Sequence, residues 1–204
     1  LEKNAESLGF RVRNYATQGS VENCQLIHAG GVDIAISQSN ITALAATGEG
    51  VFKPQGRMPG IRAVSALFPE YLQLVVAREA GIENLDALRG KRIDLGLPES
   101  GTRVDALRVL ETAGLSLPDF AEIHESGLET AVSAMRTGKL DAFFTTLQVP
   151  AHALQSLLAH GKVRLLSLPA EVLSKMRDQY GVYRLATLPS HIYPGQREPV
   201  ATLG

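Results

Sequence analysis

The hydrophobic and polar positions of this chain switch repeatedly between two spacings. Short apolar runs, typical of buried strands, are followed by stretches in which apolar residues recur every three or four positions, as on one face of a helix. The clearest helical stripe consists of Leu128, Ala131, Val132 and Met135, which lie at i, i+3, i+4 and i+7. This alternation predicts an α/β fold, with a mainly parallel sheet and helices on both of its faces.

The same pattern gives approximate bounds for each element. In the first part of the chain it predicts strands at 10–16, 33–37, 61–68 and 71–77, helices at 20–29 and 40–46, and a helical turn at 85–88. After residue 90 it predicts strands at 92–97, 120–124, 141–145 and 163–168, and helices at 102–113, 127–137, 151–160 and 170–178. Residues 186–204 contain three prolines and are expected to be extended.

Composition and charge argue against several classes of protein. The chain has 204 residues and a formal net charge of −1, which gives no long-range attraction to nucleic acid or to an anionic membrane. No apolar run approaches the roughly 18 residues that cross a bilayer, and the start of the chain lacks the apolar segment of a signal peptide. The single cysteine, Cys24, excludes an internal disulfide and falls at helical spacing with Val21 and Ile27, so we expect it to be buried.

Polar segments follow the predicted strands, where a parallel sheet places its ligand site. These segments contain mostly hydroxyls, amides and glycines, and they are residues 17–20, 38–40, 69–71, 99–102 and 145–148. Three of them open a helix, whose free N–H groups and positive end attract anions. Helix capping alone explains any single segment, but five in register predict a polar site for a small molecule.

The segment GLPESGT, residues 96–102, comes close to two catalytic motifs without matching either. A phosphate-binding loop needs Lys where Thr102 stands and a hydroxyl where Arg103 stands, and Glu99 would repel a triphosphate. A nucleophile elbow needs glycine two residues before Ser100, where the chain has Pro98. None of the five histidines lies in a metal-binding pair, so the sequence predicts binding without catalysis, metal or cofactor.

A small carboxylate suits the predicted site. Helix N–H groups together with the hydroxyls of Ser20, Ser100 and Thr102 could hold its oxygens. Glu70 is the acid best placed to meet an amine on the same ligand, although a solvated turn residue is the alternative interpretation.

Five stretches of the chain together carry a family resemblance. They are GSVENCQLIHAGGVDIAISQSN, LFPEYLQLVV, GIENLDALRGKRIDLGLPESGT, GKLDAFFTTLQVP and IYPGQREPVATLG, in that order. The chain resembles the TAXI-type substrate-binding proteins of TRAP transporters. This implies a type II periplasmic-binding-protein fold, with two α/β lobes and the ligand between them. It also implies a periplasmic receptor that delivers a small carboxylate, such as glutamate, a 2-oxoacid or a dicarboxylate, to a sodium-driven membrane permease.

The resemblance implies both a lobe division and a set of ligand contacts. The first lobe would comprise 1–83 and 186–204 and lack a strand that family members have, and the second lobe would comprise 84–185. The implied ligand contacts are Gly19, Ser20, Gln38, Ser39, Glu70, Ser100, Gly101, Thr102 and Tyr193. Asn40, Glu99 and Arg103 depart from the family pattern, so the identity of the ligand does not transfer. A ligand sensor for a signalling partner and an enzyme on the same fold are the alternative functions.

Overall fold

A five-stranded sheet, the main sheet, lies at the centre of the computed structural model, which describes residues 9–204. Its strands are β1 (Tyr71–Ala77), β2 (Arg92–Asp94), β3 (Glu122–His124), β4 (Ala142–Leu147) and β5 (Val163–Leu166), in the order β3-β2-β4-β1-β5. β2 runs parallel to β3 and β4, whereas β1 runs antiparallel to β4 and β5. The sheet is therefore mixed, because one antiparallel strand is inserted among four strands that share a direction.

Helices cover both faces of the main sheet. The helices of the described chain are α1 (Ser20–His28), α2 (Ser39–Thr47), α3 (Gly101–Thr112), α4 (Leu128–Arg136), α5 (His152–Ala159) and α6 (Ala170–Tyr180). Residues of α3 and α6 pack on one face of the main sheet and residues of α4 and α5 on the other, whereas α1 and α2 pack in a cluster of their own. Short 3-10 turns occupy Gly50–Phe52, Arg78–Ala80, Asp86–Leu88 and Leu117–Asp119, and an antiparallel pair forms from β6 (Leu185–Leu188) and β7 (Val200–Leu203). Every predicted helix is present within a few residues of its expected bounds.

Two apolar clusters pack against the opposite faces of the main sheet. In β1, Leu74 and Val76 join the cluster that includes residues of α3 and α6. Val75 and Ala77 point the other way and join the cluster that includes residues of α4 and α5. Burial on both faces explains why the sequence of β1 is almost continuously apolar rather than alternating. The predicted stripe on α4 is confirmed, since Ala131, Val132 and Met135 are buried.

A third, smaller cluster lies among α1, α2 and the turn that follows them. This N-terminal cluster consists of Val21, Cys24, Ile41, Leu44, Ala45, Phe52 and Met58. Val104 of α3 packs against it, which joins it to the rest of the molecule. Cys24 is buried as expected, and burial raises the pKa of its thiol.

Three of the predicted strands are wrong. Across residues 9–204, the segments 10–16, 33–37 and 61–68 take part in no strand pairing. Their large apolar side chains are exposed, and they include Phe10, Tyr15, Ile34, Ile36, Val64, Leu67 and Phe68. A strand requires a neighbour for its backbone hydrogen bonds, and the described residues supply none beside these segments.

The predicted lobe boundary near residue 83 does not coincide with an edge of the main sheet. The predicted division places β1 in the first lobe, yet β1 pairs with β4 and β5, which it places in the second. β7 is tied to the same unit, because the Thr202 hydroxyl donates to the Leu72 carbonyl and the Leu168 N–H to the Ala201 carbonyl at 2.9 Å. Residues 1–8 of the predicted first lobe lie outside the described residues. The division into two lobes stays a prediction.

Candidate functional site

Three helix N-termini meet at the junction between the N-terminal helices, α1 and α2, and the rest of the fold, which comprises the main sheet, α3 to α6, β6 and β7 and is called the main-sheet unit below. Gly19, Gln38 and Ser100 are the N-cap residues of α1, α2 and α3. A Cβ added to Gly19, whose φ is +140°, would lie 3.1 Å from the Cα of Ser100. A Cβ added to Gly101 would fall 1.3 Å from the Gln38 Oε1. Glycine at these two positions therefore permits the close approach of the helix ends.

The first N–H groups of α1 converge on one oxygen atom. The amides of Val21 and Glu22 donate to the backbone carbonyl of Glu99, at N–O distances of 3.1 and 3.3 Å. This oxygen occupies the position that an anion takes at a helix N-terminus, where the unpaired N–H groups and the helix dipole both favour negative charge. In this structure the end of α1 is therefore satisfied by a carbonyl from the loop before α3.

The start of α2 is bonded to α1 and presses against α3. Ser20 is buried, and its Oγ accepts a hydrogen bond from the Gln38 N–H at 3.0 Å. The Oε1 of Gln38 is buried beside Gly101 and has no hydrogen-bond partner among the described residues. Ser39 is exposed. A buried acceptor that has no hydrogen bond lowers the stability of the folded state. The Gln38 Oε1 therefore lies at the N-terminus of α3 at a cost in free energy that no hydrogen bond within the described part of the chain offsets.

Hydrogen bonds within residues 94–126 fix the shape of the loop before α3. At the end of β2, the buried carboxylate of Asp94 accepts from the Gly96 N–H at 2.8 Å and from the Ser126 hydroxyl. The Ser100 Oγ accepts from the Arg103 N–H at 3.2 Å, which makes it the N-cap of α3. The loop is therefore held in place before any ligand is present.

Thr102 and Arg103 also have partners inside the protein. The Thr102 Oγ1 accepts from the Thr146 N–H at 3.1 Å, which ties the first turn of α3 to the end of β4. Arg103 forms an ion pair with Glu125. Its charge therefore faces the loop after β3 rather than the meeting point of the helix ends.

Glu70 and Tyr193 form no side-chain hydrogen bond with the other predicted site residues among residues 9–204. Glu70 is half-buried at the start of β1, and burial raises the pKa of its carboxyl group. Tyr193 is buried, and its hydroxyl donates to the Gln73 Oε1 at 2.8 Å and accepts from the Ala151 N–H at 3.0 Å. The Gln73 Nε2 has no partner among the described residues. The structure thus brings together the helix N-termini of the predicted site, whereas the roles of Glu70 and Tyr193 stay predictions.

A buried polar network next to the site was missed by the sequence analysis. The Asp105 carboxylate accepts from the Asn40 Nδ2 at 2.7 Å, the Tyr183 hydroxyl at 2.7 Å and the Thr146 Oγ1 at 3.2 Å. Burial raises the pKa of Asp105 to about 6, and its hydrogen bonds and the nearby Arg108 oppose that rise. The available signal was the position of Asp105 on the same helix face as Gly101, one turn from it.

Comparison with known proteins assigns the chain to a family. The model of the NMT1-like family matches residues 1–204. The chain belongs to this family. The structure is also similar to the binding-protein component of an ABC phosphonate transporter from Pseudomonas aeruginosa, with 13% identity over 87% of this chain and a TM-score of 0.55. An ancestral arginine-binding protein bound to arginine shows 17% identity over 81% of this chain and a TM-score of 0.50.

These similarities establish the fold class of this NMT1-like chain. The fold is α/β and similar to that of type II periplasmic binding proteins, as the sequence predicted. The chain spans 65% of the length of each of the two binding proteins. Within residues 9–204, no helix combines the length and apolar character needed to cross a membrane. The same residues contain no group of three or more His, Cys, Asp or Glu side chains arranged to hold a metal ion.

Proposed function

We propose that this chain belongs to a solute-binding receptor whose ligand is a small carboxylate, such as glutamate, a 2-oxoacid or a dicarboxylate. The observation that carries the proposal is the convergence of the Val21 and Glu22 N–H groups on one oxygen, directly opposite the N-terminus of α3. Facing helix ends supply N–H donors from two sides, which suits the two oxygens of a carboxylate.

Ligand entry requires the protein's own oxygens to leave the helix ends. We infer that the N-terminal helices move away from α3, so that the Glu99 carbonyl and the Gln38 side chain release their positions. One carboxylate oxygen then accepts from Val21 and Glu22, while the other faces the N-terminus of α3. Closure is favoured only if the ligand contacts both sides, since its interaction free energy must be larger in the closed state.

Side chains around the helix ends supply the remaining donors in this proposal. The hydroxyls of Ser20, Ser100 and Thr102 lie within the first turns of α1 and α3, where they can turn towards a bound anion. Glu70, whose carboxyl pKa is raised by burial, is the proposed partner for a ligand amine. The role of Tyr193 as a ligand contact stays a prediction.

The proposed partner of the receptor is a membrane permease of the TRAP type, and the proposed compartment is the periplasm. The five sequence stretches that resemble TAXI-type proteins support this choice of transporter. The formal net charge of −1 fits a protein that acts on a small solute rather than on nucleic acid.

A thermal-shift screen tests the ligand class. We expect L-glutamate, 2-oxoglutarate or succinate to raise the melting temperature, because a ligand at 100 times its Kd stabilises the folded state by about 2.7 kcal/mol. The double variant Ser100→Ala with Thr102→Ala should lose this shift. The matched control replaces Ser133 and Ser156, which are exposed on α4 and α5, and should keep it. A shift produced by methylphosphonate and by none of the carboxylates would contradict the proposed ligand class.

A further inference from the structure

Two helices from opposite sides of the candidate site are joined by one buried hydrogen bond. Asn40 lies in α2 and Asp105 in α3, and the Asn40 Nδ2 donates to the Asp105 Oδ1 at 2.7 Å. Both residues are buried, with 8% and 3% of their surfaces exposed. The bond therefore holds the N-terminal helices against the main-sheet unit at a point that water does not reach.

Both partners of this bond are close in sequence to the candidate site. Asn40 follows the N-cap of α2, Gln38, by two residues, and Asp105 lies one helical turn after Gly101. Thr146, at the end of β4, donates from its Oγ1 to Asp105 at 3.2 Å and from its N–H to the Thr102 Oγ1 at 3.1 Å. A displacement of the Asp105 side chain would consequently displace the N-terminus of α2, through Asn40, and the N-terminus of α3, through Thr146 and Thr102.

The orientation of the Asp105 carboxylate is itself fixed from the far side. The Tyr183 hydroxyl donates to the Asp105 Oδ1 at 2.7 Å and accepts from Arg108 at 3.0 Å. The Arg108 guanidinium carbon lies 4.3 Å from the centroid of the Tyr180 ring. The carboxylate thus receives three donors from three different segments, and each donor constrains its position.

We propose that Asp105 is a positioning residue of the ligand site, which sets through Asn40 how the ends of α1 and α2 face α3. An apolar pair could hold the two helices together, but it would not define their register as a directional hydrogen bond does. The inference rests on the proposed function for its role in binding, whereas the positioning itself is independent of any ligand.

Amide hydrogen exchange followed by NMR tests the positioning without a ligand. The Val21 and Glu22 amides bond across the junction to Glu99, whereas the Asn23 amide bonds to Gly19 within α1 and is the internal control. In Asn40→Ala we expect the first two amides to exchange at least tenfold faster, with Asn23 within twofold of the wild-type rate. Thr47→Ala, which removes a hydroxyl bonded only within α2, should leave all three unchanged.

A reciprocal exchange separates positioning from general stability. The double variant Asn40→Asp with Asp105→Asn keeps one amide and one carboxylate in contact, so it should restore the exchange rates of Val21 and Glu22 to within threefold of wild type. In a titration with L-glutamate, Asn40→Ala should weaken binding at least tenfold and the double variant should recover most of that loss.

Two results would overturn the inference. One is an Asn40→Ala protein with a lower melting temperature but unchanged exchange at Val21 and Glu22. The other is a uniform acceleration that includes Asn23, which would indicate a merely structural bond. If wild-type protein binds none of the carboxylates screened, the proposed ligand class fails, but the exchange measurement still decides the positioning role.

Discussion

Replacing Asp105 with alanine is expected to lower the free energy of unfolding at pH 5 by about 3–5 kcal/mol. The substitution removes the acceptor of the Asn40, Tyr183 and Thr146 donors and leaves them unpaired in the interior. At pH 5, below the raised pKa of about 6, Asp105 is mostly protonated, so the loss comes from these unpaired donors and not from a broken ion pair. Urea denaturation should show this as a lower midpoint with an unchanged slope. A loss below about 1 kcal/mol would mean that the network contributes little to stability.

The size of this loss should depend on pH. Burial raises the pKa of Asp105 from 3.8 to about 6, so between these values the folded state holds a proton that the unfolded state lacks. The contribution of Asp105 to stability is therefore largest below pH 4 and decreases as the pH rises through about 6. The difference between wild type and Asp105→Ala should shrink over this range by an amount on the order of 2 kcal/mol.

The control for this pH dependence is Asp105→Asn, which keeps an acceptor oxygen but cannot ionise. Its unfolding free energy should lack the decrease that the wild type shows between pH 4 and 6. Parallel profiles for wild type and Asp105→Asn would show that another group is responsible for the pH dependence.

Replacing Phe52 with alanine is expected to unfold the N-terminal helices while the main sheet stays folded. Phe52 is fully buried in the N-terminal cluster, and loss of a buried phenyl ring costs about 3–5 kcal/mol. That cluster is small, and among the described residues it shares no strand pairing with the main sheet and is joined to the rest of the molecule by Val104 and a few hydrogen bonds, so we expect it to unfold first. Hydrogen exchange should show lost protection in α1 and α2 and retained protection in β1 and β4.

The matched variant is Phe143→Ala, which removes the same side chain from the centre of the main sheet. Phe143 is also fully buried, but it lies in β4 between β1 and β2. Its loss should reduce protection throughout the molecule and lower the main melting transition. If the amides of β1 and β4 lose as much protection from exchange in Phe52→Ala as in Phe143→Ala, the N-terminal helices and the main sheet unfold together and the prediction is wrong.

The elements that the sequence predicted correctly are those whose local pattern agrees with their tertiary environment. The stripe on α4 identifies the face of that helix that is buried, and the continuous apolar run of β1 indicates a strand that is buried on both faces, so local pattern was sufficient to locate them. The segments 10–16, 33–37 and 61–68 have a similar apolar character but no neighbour to pair with among the described residues. Strand formation depends on a neighbouring strand, and the sequence of a segment alone does not show whether such a neighbour is present.

The candidate site likewise contains features that the sequence predicted and one that it did not. The polar residues at helix starts predicted a common site, and Gly19 and Gln38 do lie beside Ser100 and Gly101. The reason is the packing of the helix ends and not the ends of parallel strands, because segments 10–16 and 33–37 form no strand. The bond between Asn40 and Asp105 could not be predicted, because it joins residues that are 65 positions apart. Both side chains are of types that usually lie at the surface, and only the packing of α2 on α3 buries them.

The most direct test of a carboxylate site between the helix ends is a titration of isotope-labelled protein with a carboxylate, followed through the backbone amide signals. We expect L-glutamate, or whichever of 2-oxoglutarate and succinate gives the larger thermal shift, to displace the Glu99 carbonyl from α1. The largest saturable changes should then fall at Val21 and Glu22 and at the start of α3, at Gly101 and Thr102. Saturable changes confined to residues away from these helix ends, or none with any of the three compounds, would contradict a carboxylate site between them.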